Sequence, residues 1–168
     1  MRGLSSPESA ILSGMGHLTS FTGTDTIPAI YQLEQSYNAT GLIGASVPAT
    51  EHSVMCMGTK EDEIPTFKRL LDLYPTGILS VVSDTWDLWK VITEYLPALK
   101  VEIMDRDGKL VIRPDSGDPV DIICGLNPEF GYLGKKDVPQ NKGVIELLWD
   151  TFGGTINEQG YKVLDSHI

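Results

Sequence analysis

Short apolar runs alternate with longer amphipathic segments along the chain, and this alternation predicts an α/β fold in which about five strands alternate with helices. Apolar residues at helical spacing predict helices at residues 6–15, 25–37, 60–74, 86–96 and 141–154. Runs rich in β-branched and apolar residues predict strands at residues 17–21, within 43–53, at 77–84 and at 160–168. Such a rhythm is typical of a parallel sheet.

Local signals add one further element, a hairpin, and refine two of the predicted helices. Asp107 and Gly108 form a DG pair between alternating runs, so a hairpin is predicted within residues 99–115. Gly153 and Gly154 predict the end of the last helix. The apolar face predicted for the helix at 60–74 consists of Phe67, Leu70, Leu71 and Leu73.

Size and charge narrow the class of protein. A chain of 168 residues that is 41% hydrophobic can bury one core, so a single domain over residues 1–168 is predicted, with a flexible loop at 125–142. The formal net charge of −10 disfavours binding to nucleic acid or to an anionic membrane surface. Any phosphate must therefore be bound by a local cluster of donors.

The cysteines and the apolar runs indicate a compartment. Cys56 and Cys124 lie far apart without metal-like spacing, which predicts reduced, partly buried thiols. No apolar run reaches the length of a membrane span, and the first residues lack the apolar core of a signal peptide. We therefore expect a cytoplasmic protein.

Polar side chains follow four of the predicted strands. The carboxyl ends of parallel strands meet at one edge of a sheet, where ligands bind, so side chains at these ends are expected to converge. The strand-end residues are Asp25, then Glu51 and His52, then Ser83 and Asp84, then Arg113 and Asp115.

Each of these residues also has a structural interpretation. Asp25 and Asp84 could cap the helices that follow them, and Asp118 before Pro119 is best interpreted as a cap. His52 could be a hydrogen-bonded core histidine. Arg113 emerges from a buried strand and needs an anion or carbonyls, and Asp115 could supply a purely structural partner.

Six blocks, in this order, resemble the central part of the nicotinamide phosphoribosyltransferase family, nearest to its bacterial and viral members. They are "RGLSSPESA", "FTGTDTIPAI", "SVPATEHSVM", "SVVSDTWDLW", "VIRPDSGDPVDI" and "GYKVLDSHI". The resemblance implies transfer of 5-phosphoribosyl from phosphoribosyl pyrophosphate to nicotinamide with Mg²⁺, giving nicotinamide mononucleotide and pyrophosphate. It also implies part of an irregular parallel α/β barrel of the type II phosphoribosyltransferase kind, assembled as a homodimer.

The resemblance assigns roles to individual residues. Arg2 matches a phosphate contact, and Asp25 matches the acceptor for the nicotinamide amide. His52 matches a histidine that is phosphorylated when ATP hydrolysis is coupled to product formation. Arg113 and Asp115 match the pair that reaches nicotinamide, the ribose hydroxyls and the pyrophosphate with its metal. The walls of the tunnel for the base match Ser46, Val47, Ser80 and Asp84.

Two alternatives accompany this assignment. The chain could belong to a related nicotinate enzyme, although a carboxylate at Asp25 would repel the carboxylate of nicotinate. It could also be a non-catalytic structural or interaction fragment, because the aromatic ring clamp and further phosphate-binding residues of the family have no match in these residues. The isolated chain is therefore expected to lack activity.

Overall fold

A computed structural model describes residues 3–126 and 138–168. The chain forms two compact units, Met1–Val47 and Pro48–Ile168. Arg2 lies outside the described residues, as do residues 127–137 of the predicted flexible loop. Residues 139–142, the last part of that predicted loop, form a helical turn, and Gly143, with a φ of 76°, separates this turn from the main part of the last helix. The expectation of a single domain stays a prediction.

From residue 3 onward, the first unit contains two helices, α1 (Pro7–His17) and α2 (Ile27–Tyr37), close to the two predicted there. Ser6 caps α1 by accepting a hydrogen bond from the Ser9 N–H. The helices pack closely at Gly14, because a Cβ added there would lie 2.8 Å from the Cβ of Ala29. Gly14 is thus a contact residue inside α1.

The strand predicted at residues 17–21 is wrong. His17 still belongs to α1, and a turn follows it in which the ring of Phe21 stacks on that of His17 with centroids 4.9 Å apart. The only strand-like pairing in the described part of this unit is a parallel bridge between Gly23 and Ala45. The apolar residues of this stretch therefore serve a helix end and a turn.

The second unit contains seven α-helices and four strands within its described residues. Its helices are α3 (His52–Met57), α4 (Glu63–Leu73), α5 (Leu88–Lys90), α6 (Leu96–Ala98), α7 (Lys100–Met104), α8 (Pro119–Cys124) and α9 (Pro139–Phe152). Its strands are β1 (Thr76–Val82), β2 (Asp107–Arg113), β3 (Gly154–Ile156) and β4 (Lys162–Leu164). A π-helical stretch, Val91–Tyr95, joins α5 to α6, and a short 3₁₀ turn, Lys60–Asp62, precedes α4.

β1 and β2 form a parallel pair whose register runs from Thr76 opposite Asp107 to Val82 opposite Arg113. On the other side of β1, Ala49 forms a parallel bridge with Ser80. The prediction of an α/β fold with a parallel sheet is confirmed, but only two of the four described strands belong to that sheet. Much of the stretch 43–53 therefore contributes isolated bridges rather than a strand.

The hairpin predicted within residues 99–115 is also wrong. Residues 100–104 are helical, and Asp107 and Gly108 lie inside β2 rather than in a turn. The partner of β2 is β1, which precedes it across a helical crossover. Gly108 is required for another reason, because a Cβ there would lie 2.1 Å from the carbonyl oxygen of Gly77 on the neighbouring strand.

The core of the second unit lies between the sheet and its helices. Its fully buried members include Phe67, Leu79, Val81, Ile92, Leu96, Ile103 and Leu110. Burying each such side chain contributes about 1.5–3 kcal/mol to folding. The predicted apolar face of α4 is confirmed at Phe67, Leu70 and Leu71, whereas Leu73 is 64% exposed because the helix ends there.

The last helix ends as predicted at Gly153, which has a φ of 74°. β3 follows it directly and pairs antiparallel with β4, the core of the strand predicted at 160–168. Asn157 shapes the turn between them, since its Oδ1 accepts hydrogen bonds from the N–H groups of Gln159 and Tyr161. Among the described helices, none combines the length and the apolar character that crossing a bilayer requires.

Candidate functional site

Three extended segments of the second unit end at one edge of the sheet. Thr50 N–H donates to the Ser80 carbonyl, and Ser83 N–H donates to the Arg113 carbonyl. The parallel register places the residues after 50, 82 and 113 at the same edge. The side chains that gather there are His52, Asp84, Arg113 and Asp115, here called the edge cluster.

Asp84 holds the turn that carries Asp115. Its Oδ2 accepts the backbone N–H of Asp115 at 2.8 Å and that of Ser116 at 2.7 Å. The side chain of Asp84 is only 8% exposed. Burial by itself raises the pKa of this carboxyl, but the N–H groups of Asp115 and Ser116, with His52 nearby, outweigh it and keep the pKa below its usual range. Asp84 is thus a clamp on the turn rather than a helix cap, since Asp87 caps α5.

His52 opens α3 and stands between two elements. Its Nε2 lies 3.2 Å from Asp115 Oδ2 and 3.7 Å from Asp84 Oδ1. Its Nδ1 lies 3.0 Å from the hydroxyl of Thr85. The side chain is 42% exposed, so His52 is accessible and is not a core histidine.

Arg113 is anchored on both sides of its guanidinium. Nη2 donates to the Thr50 carbonyl at 3.0 Å, and Nη1 reaches Asp115 Oδ1 at 3.4 Å. Arg113 therefore has the carbonyl and carboxylate partners that a cation leaving a strand needs. Half of the Asp115 side chain remains exposed, so the pair can still meet a ligand.

Ser80 is buried within β1, and its backbone pairs with Pro48 and Thr50 on the neighbouring segment. Ser80 thereby helps to hold β1 against the segment that leads to His52. Thr50 is also buried, and its Oγ1 accepts the Val82 N–H at 3.0 Å. The sequence interpretation missed Thr50 and Thr85, because nothing in the order of residues shows which hydroxyl reaches a distant strand or ring.

The remaining predicted site residues lie in the first unit. Ser46 Oγ donates to Asp25 Oδ1, and both side chains are exposed. Asp25 makes no capping bond to α2, whose preceding residue is Thr26. Val47 is 40% exposed. The predicted convergence of Asp25 with the other strand ends stays a prediction.

A further acidic group lies at the start of α4. Glu63 is buried, and its Oε1 has no hydrogen-bond partner within the described residues. Burial, followed by the negative charge of Asp87, raises the pKa of the Glu63 carboxyl to about 7. Among the described residues, the buried side chain of Asp84 thus has backbone donors, whereas the buried Oε1 of Glu63 has none.

The edge cluster is suited to a substrate in which positive and negative charge develop during the reaction. It places two carboxylates, a guanidinium and an accessible imidazole at the open end of a parallel sheet. Carboxylates stabilise developing positive charge, and a guanidinium stabilises a departing anion. Within residues 3–126 and 138–168, no group of three or more His, Cys, Asp or Glu side chains is arranged to hold a metal ion by itself.

Comparison with known proteins gives consistent matches. The nicotinate phosphoribosyltransferase (NAPRTase) family matches residues 1–166. A nicotinamide phosphoribosyltransferase of Acinetobacter baylyi is 54% identical over 174 residues, covering 99% of this chain and 34% of that protein. Proteins of the same name are 41% identical in Mycoplasma pneumoniae, over 100% of this chain and 34% of that protein, and 36% identical in Xanthomonas campestris, over 98% and 32%. The chain spans about a third of the length of these curated relatives.

Proposed function

The chain belongs to the nicotinate phosphoribosyltransferase family, and we propose that it is the central catalytic segment of an enzyme that transfers 5-phosphoribosyl from phosphoribosyl pyrophosphate to nicotinamide. The products are nicotinamide mononucleotide and pyrophosphate, in the biosynthesis of NAD. The curated relatives carry the name of this activity. The observation that carries the proposal is the edge cluster, because its charges suit this reaction.

The reaction separates charge. When the glycosidic bond to pyrophosphate loosens, the ribose becomes positive and the leaving group gains negative charge. Asp115, half exposed at the edge, is proposed to lie beside the ribose hydroxyls, and Arg113 beside the pyrophosphate. Asp84 contributes by fixing the turn on which Asp115 stands. No covalent bond between enzyme and sugar is needed.

Mg²⁺ is proposed to bind together with the pyrophosphate. Mg²⁺ commonly takes one or two protein carboxylates and completes its shell with substrate phosphates and water. The edge cluster fits this mode, because Asp115 is accessible and the buried Oδ1 of Asp84 has no hydrogen-bond partner among the described residues. Asp115 would hold the ion, which would neutralise charge on the leaving group.

His52 is proposed to accept phosphate from ATP and so to couple ATP hydrolysis to product formation. Its exposure and its fixed place beside Asp115 support this role. In the first unit, Asp25 is proposed to accept the amide N–H of nicotinamide, with its orientation fixed by Ser46. Arg2 is proposed to contact phosphate of the donor, and Val47 to line the passage for the base, whereas Ser80, buried within β1, is proposed to support the strand that leads to Asp84.

The larger assembly is also a proposal. The parallel pair β1 and β2, with its helical crossover, is the repeating unit of an α/β barrel, and we assign it to an irregular barrel of the type II phosphoribosyltransferase kind. The enzyme is proposed to be a homodimer. The cytoplasmic location expected from the sequence stays a prediction.

Nicotinate is the second candidate substrate, because the family that matches residues 1–166 is named for it. The Asp25–Ser46 pair favours nicotinamide. A carboxylate acceptor binds an amide donor and repels a second carboxylate, and a site built on one hydrogen bond rejects an analogue that lacks the donor by factors of roughly 10⁴.

A chimaera tests the proposal. This chain would replace the matching segment of the Acinetobacter baylyi enzyme, and formation of nicotinamide mononucleotide would be measured. We expect an active chimaera, and loss of activity in its Arg113→Lys variant, because lysine cannot reproduce the guanidinium fork. A chimaera that melts like its parent but forms no product from nicotinamide would contradict the proposal. The isolated chain should be inactive, since catalysis of this kind depends on positioning from several walls.

A further inference from the structure

Thr85 lies directly after the clamp residue Asp84 and contacts His52 from the opposite side. Its Oγ1 is 3.0 Å from Nδ1 of the imidazole. The next helix, α5, begins at Leu88 and is capped by Asp87, so Thr85 does not cap this helix. Within the described residues, His52 is the only hydrogen-bond partner recorded for the Thr85 side chain.

The surroundings of the ring determine where its proton sits. Nε2 lies 3.2 Å from Asp115 Oδ2 and 3.7 Å from Asp84 Oδ1, and ionised carboxylates can only accept hydrogen bonds. A bare Nε2 lone pair would repel both oxygens. The neutral ring therefore carries its proton on Nε2, and Nδ1 is left as an acceptor. The Thr85 hydroxyl is the donor within reach of Nδ1.

The exposure of His52 makes this second contact necessary. With 42% of the side chain exposed, packing restrains the ring only in part, and the single bond to Asp115 adds a modest restraint on rotation about the Cβ–Cγ bond. A bond at each nitrogen fixes both the ring plane and the identity of the nitrogen that faces the carboxylates.

We infer that Thr85 is a positioning residue for His52: its hydroxyl donates to Nδ1, fixes the ring and keeps the Nε2–H directed at Asp115. The inference rests on the proposed function only for its catalytic consequence. The hydrogen bond itself can be tested without any activity.

The first test uses the 168-residue chain and nitrogen NMR of its histidine rings at pH 8 in buffer with a chelator. The His52 signals are identified by their loss in His52→Gln. Thr85→Val, which keeps the shape but removes the hydroxyl, should move the Nδ1 resonance of His52 towards that of an imidazole nitrogen without a hydrogen bond. Thr85→Ser should keep the wild-type position, and Thr93→Val, a control threonine whose hydroxyl donates to the Trp89 carbonyl, should not affect it.

The second test uses the active chimaera described above. Thr85→Val should lower kcat about two- to tenfold, the range that one hydrogen bond of ordinary net strength supplies, while KM for nicotinamide stays unchanged. Thr85→Ser should restore kcat. Should Thr85→Val misfold, Thr85→Ala serves in its place for both measurements.

Two results would overturn the inference. One is an Nδ1 resonance that is the same in wild type and Thr85→Val. The other is a serine variant that behaves like the valine variant. A chimaera without activity in any form would instead contradict the proposed function, and the NMR result would still decide the role of Thr85.

Discussion

The edge cluster and the Asp25–Ser46 pair are each built on an aspartate that follows an extended segment, yet they are held in different ways. Asp84 is buried and accepts two backbone N–H groups from another segment, whereas Asp25 is exposed and accepts one hydroxyl. The first carboxylate is therefore part of the fold as well as of the site. The second can change with little effect on the fold, so it is the better place for substrate choice.

The largest expected effect comes from removing the carboxylate of Asp84, and the matched comparison removes the carboxylate of Asp25. Asp84→Ala should lower the free energy of unfolding by about 1–3 kcal/mol, because two backbone N–H groups of an exposed turn lose a charged acceptor. Asp25→Ala should change it by less than about 0.5 kcal/mol, as exposed substitutions usually do. Urea denaturation of the two variants measures the difference, and equal losses would remove the distinction.

Acid sharpens this comparison. The folded pKa of Asp84 lies below its ordinary value of 3.8, so its stabilisation is fully present above that pH and is lost as the pH falls through the folded pKa. The gap between wild type and Asp84→Ala should therefore be constant at neutral pH and shrink in stronger acid.

The second effect concerns the base. In the chimaera, Asp25→Ser or Asp25→Asn should lower kcat/KM for nicotinamide at least about tenfold and narrow its preference over nicotinate, because the carboxylate acceptor for the amide is lost. Competition assays with the two bases measure the ratio. If that ratio is unchanged while stability falls, Asp25 has a structural role only.

The third effect distinguishes Glu63 from Asp84, because the pKa of Glu63 is raised whereas that of Asp84 is lowered. Glu63 has a folded pKa of about 7 against an ordinary 4.5, so the folded chain binds the extra proton between these values and stability falls as the pH rises through them. Glu63→Gln should therefore raise the free energy of unfolding by about 1–2 kcal/mol at pH 8 and change it little near pH 4.5.

Thermal melts at both pH values measure the Glu63 effect. Glu34→Gln, on the exposed side of α2, is the matched control and should not depend on pH in this range. A Glu63→Gln variant that is destabilised equally at both pH values would show that its burial carries no electrostatic cost.

The smallest effect belongs to Ser46. Ser46→Ala removes an exposed hydroxyl donor, so it should change the free energy of unfolding by less than about 0.5 kcal/mol. In the chimaera it should raise KM for nicotinamide with little change in kcat, because it loosens the orientation of Asp25. A loss of stability as large as that of Asp84→Ala would show that the Asp25–Ser46 pair stabilises the fold.

The edge cluster could be predicted because parallel strands end at one edge: Arg113 is the last residue of β2, and His52, Asp84 and Asp115 each follow such an end. The same logic failed for the hairpin within 99–115, since a DG pair is a local signal while the partner of β2 lies across a helical crossover. Long amphipathic helices such as α4 were predicted well because their period is repeated over several turns.

Tertiary contacts decided what the sequence could not. Gly14 lies inside the first predicted helix, and its close approach to Ala29 follows only from tertiary packing. Glu63 begins a helix, where acids are normally exposed, and only the fold buries it. The partners of Thr50 and Thr85 lie 32 and 33 residues away, and no local pattern encodes such distances.

The Asp84 clamp also affects which substitutions the site can accept during evolution. Asp84 binds two main-chain N–H groups, which are present whatever the side chains at 115 and 116, and the Ser116 hydroxyl adds a further hydrogen bond. Proline, which lacks the N–H, would lose one of these bonds, whereas other residues keep both main-chain donors. As long as Asp84 is retained, related proteins can therefore differ in the side chains that face a ligand at positions 115 and 116 while the main-chain bonds that hold the turn are kept.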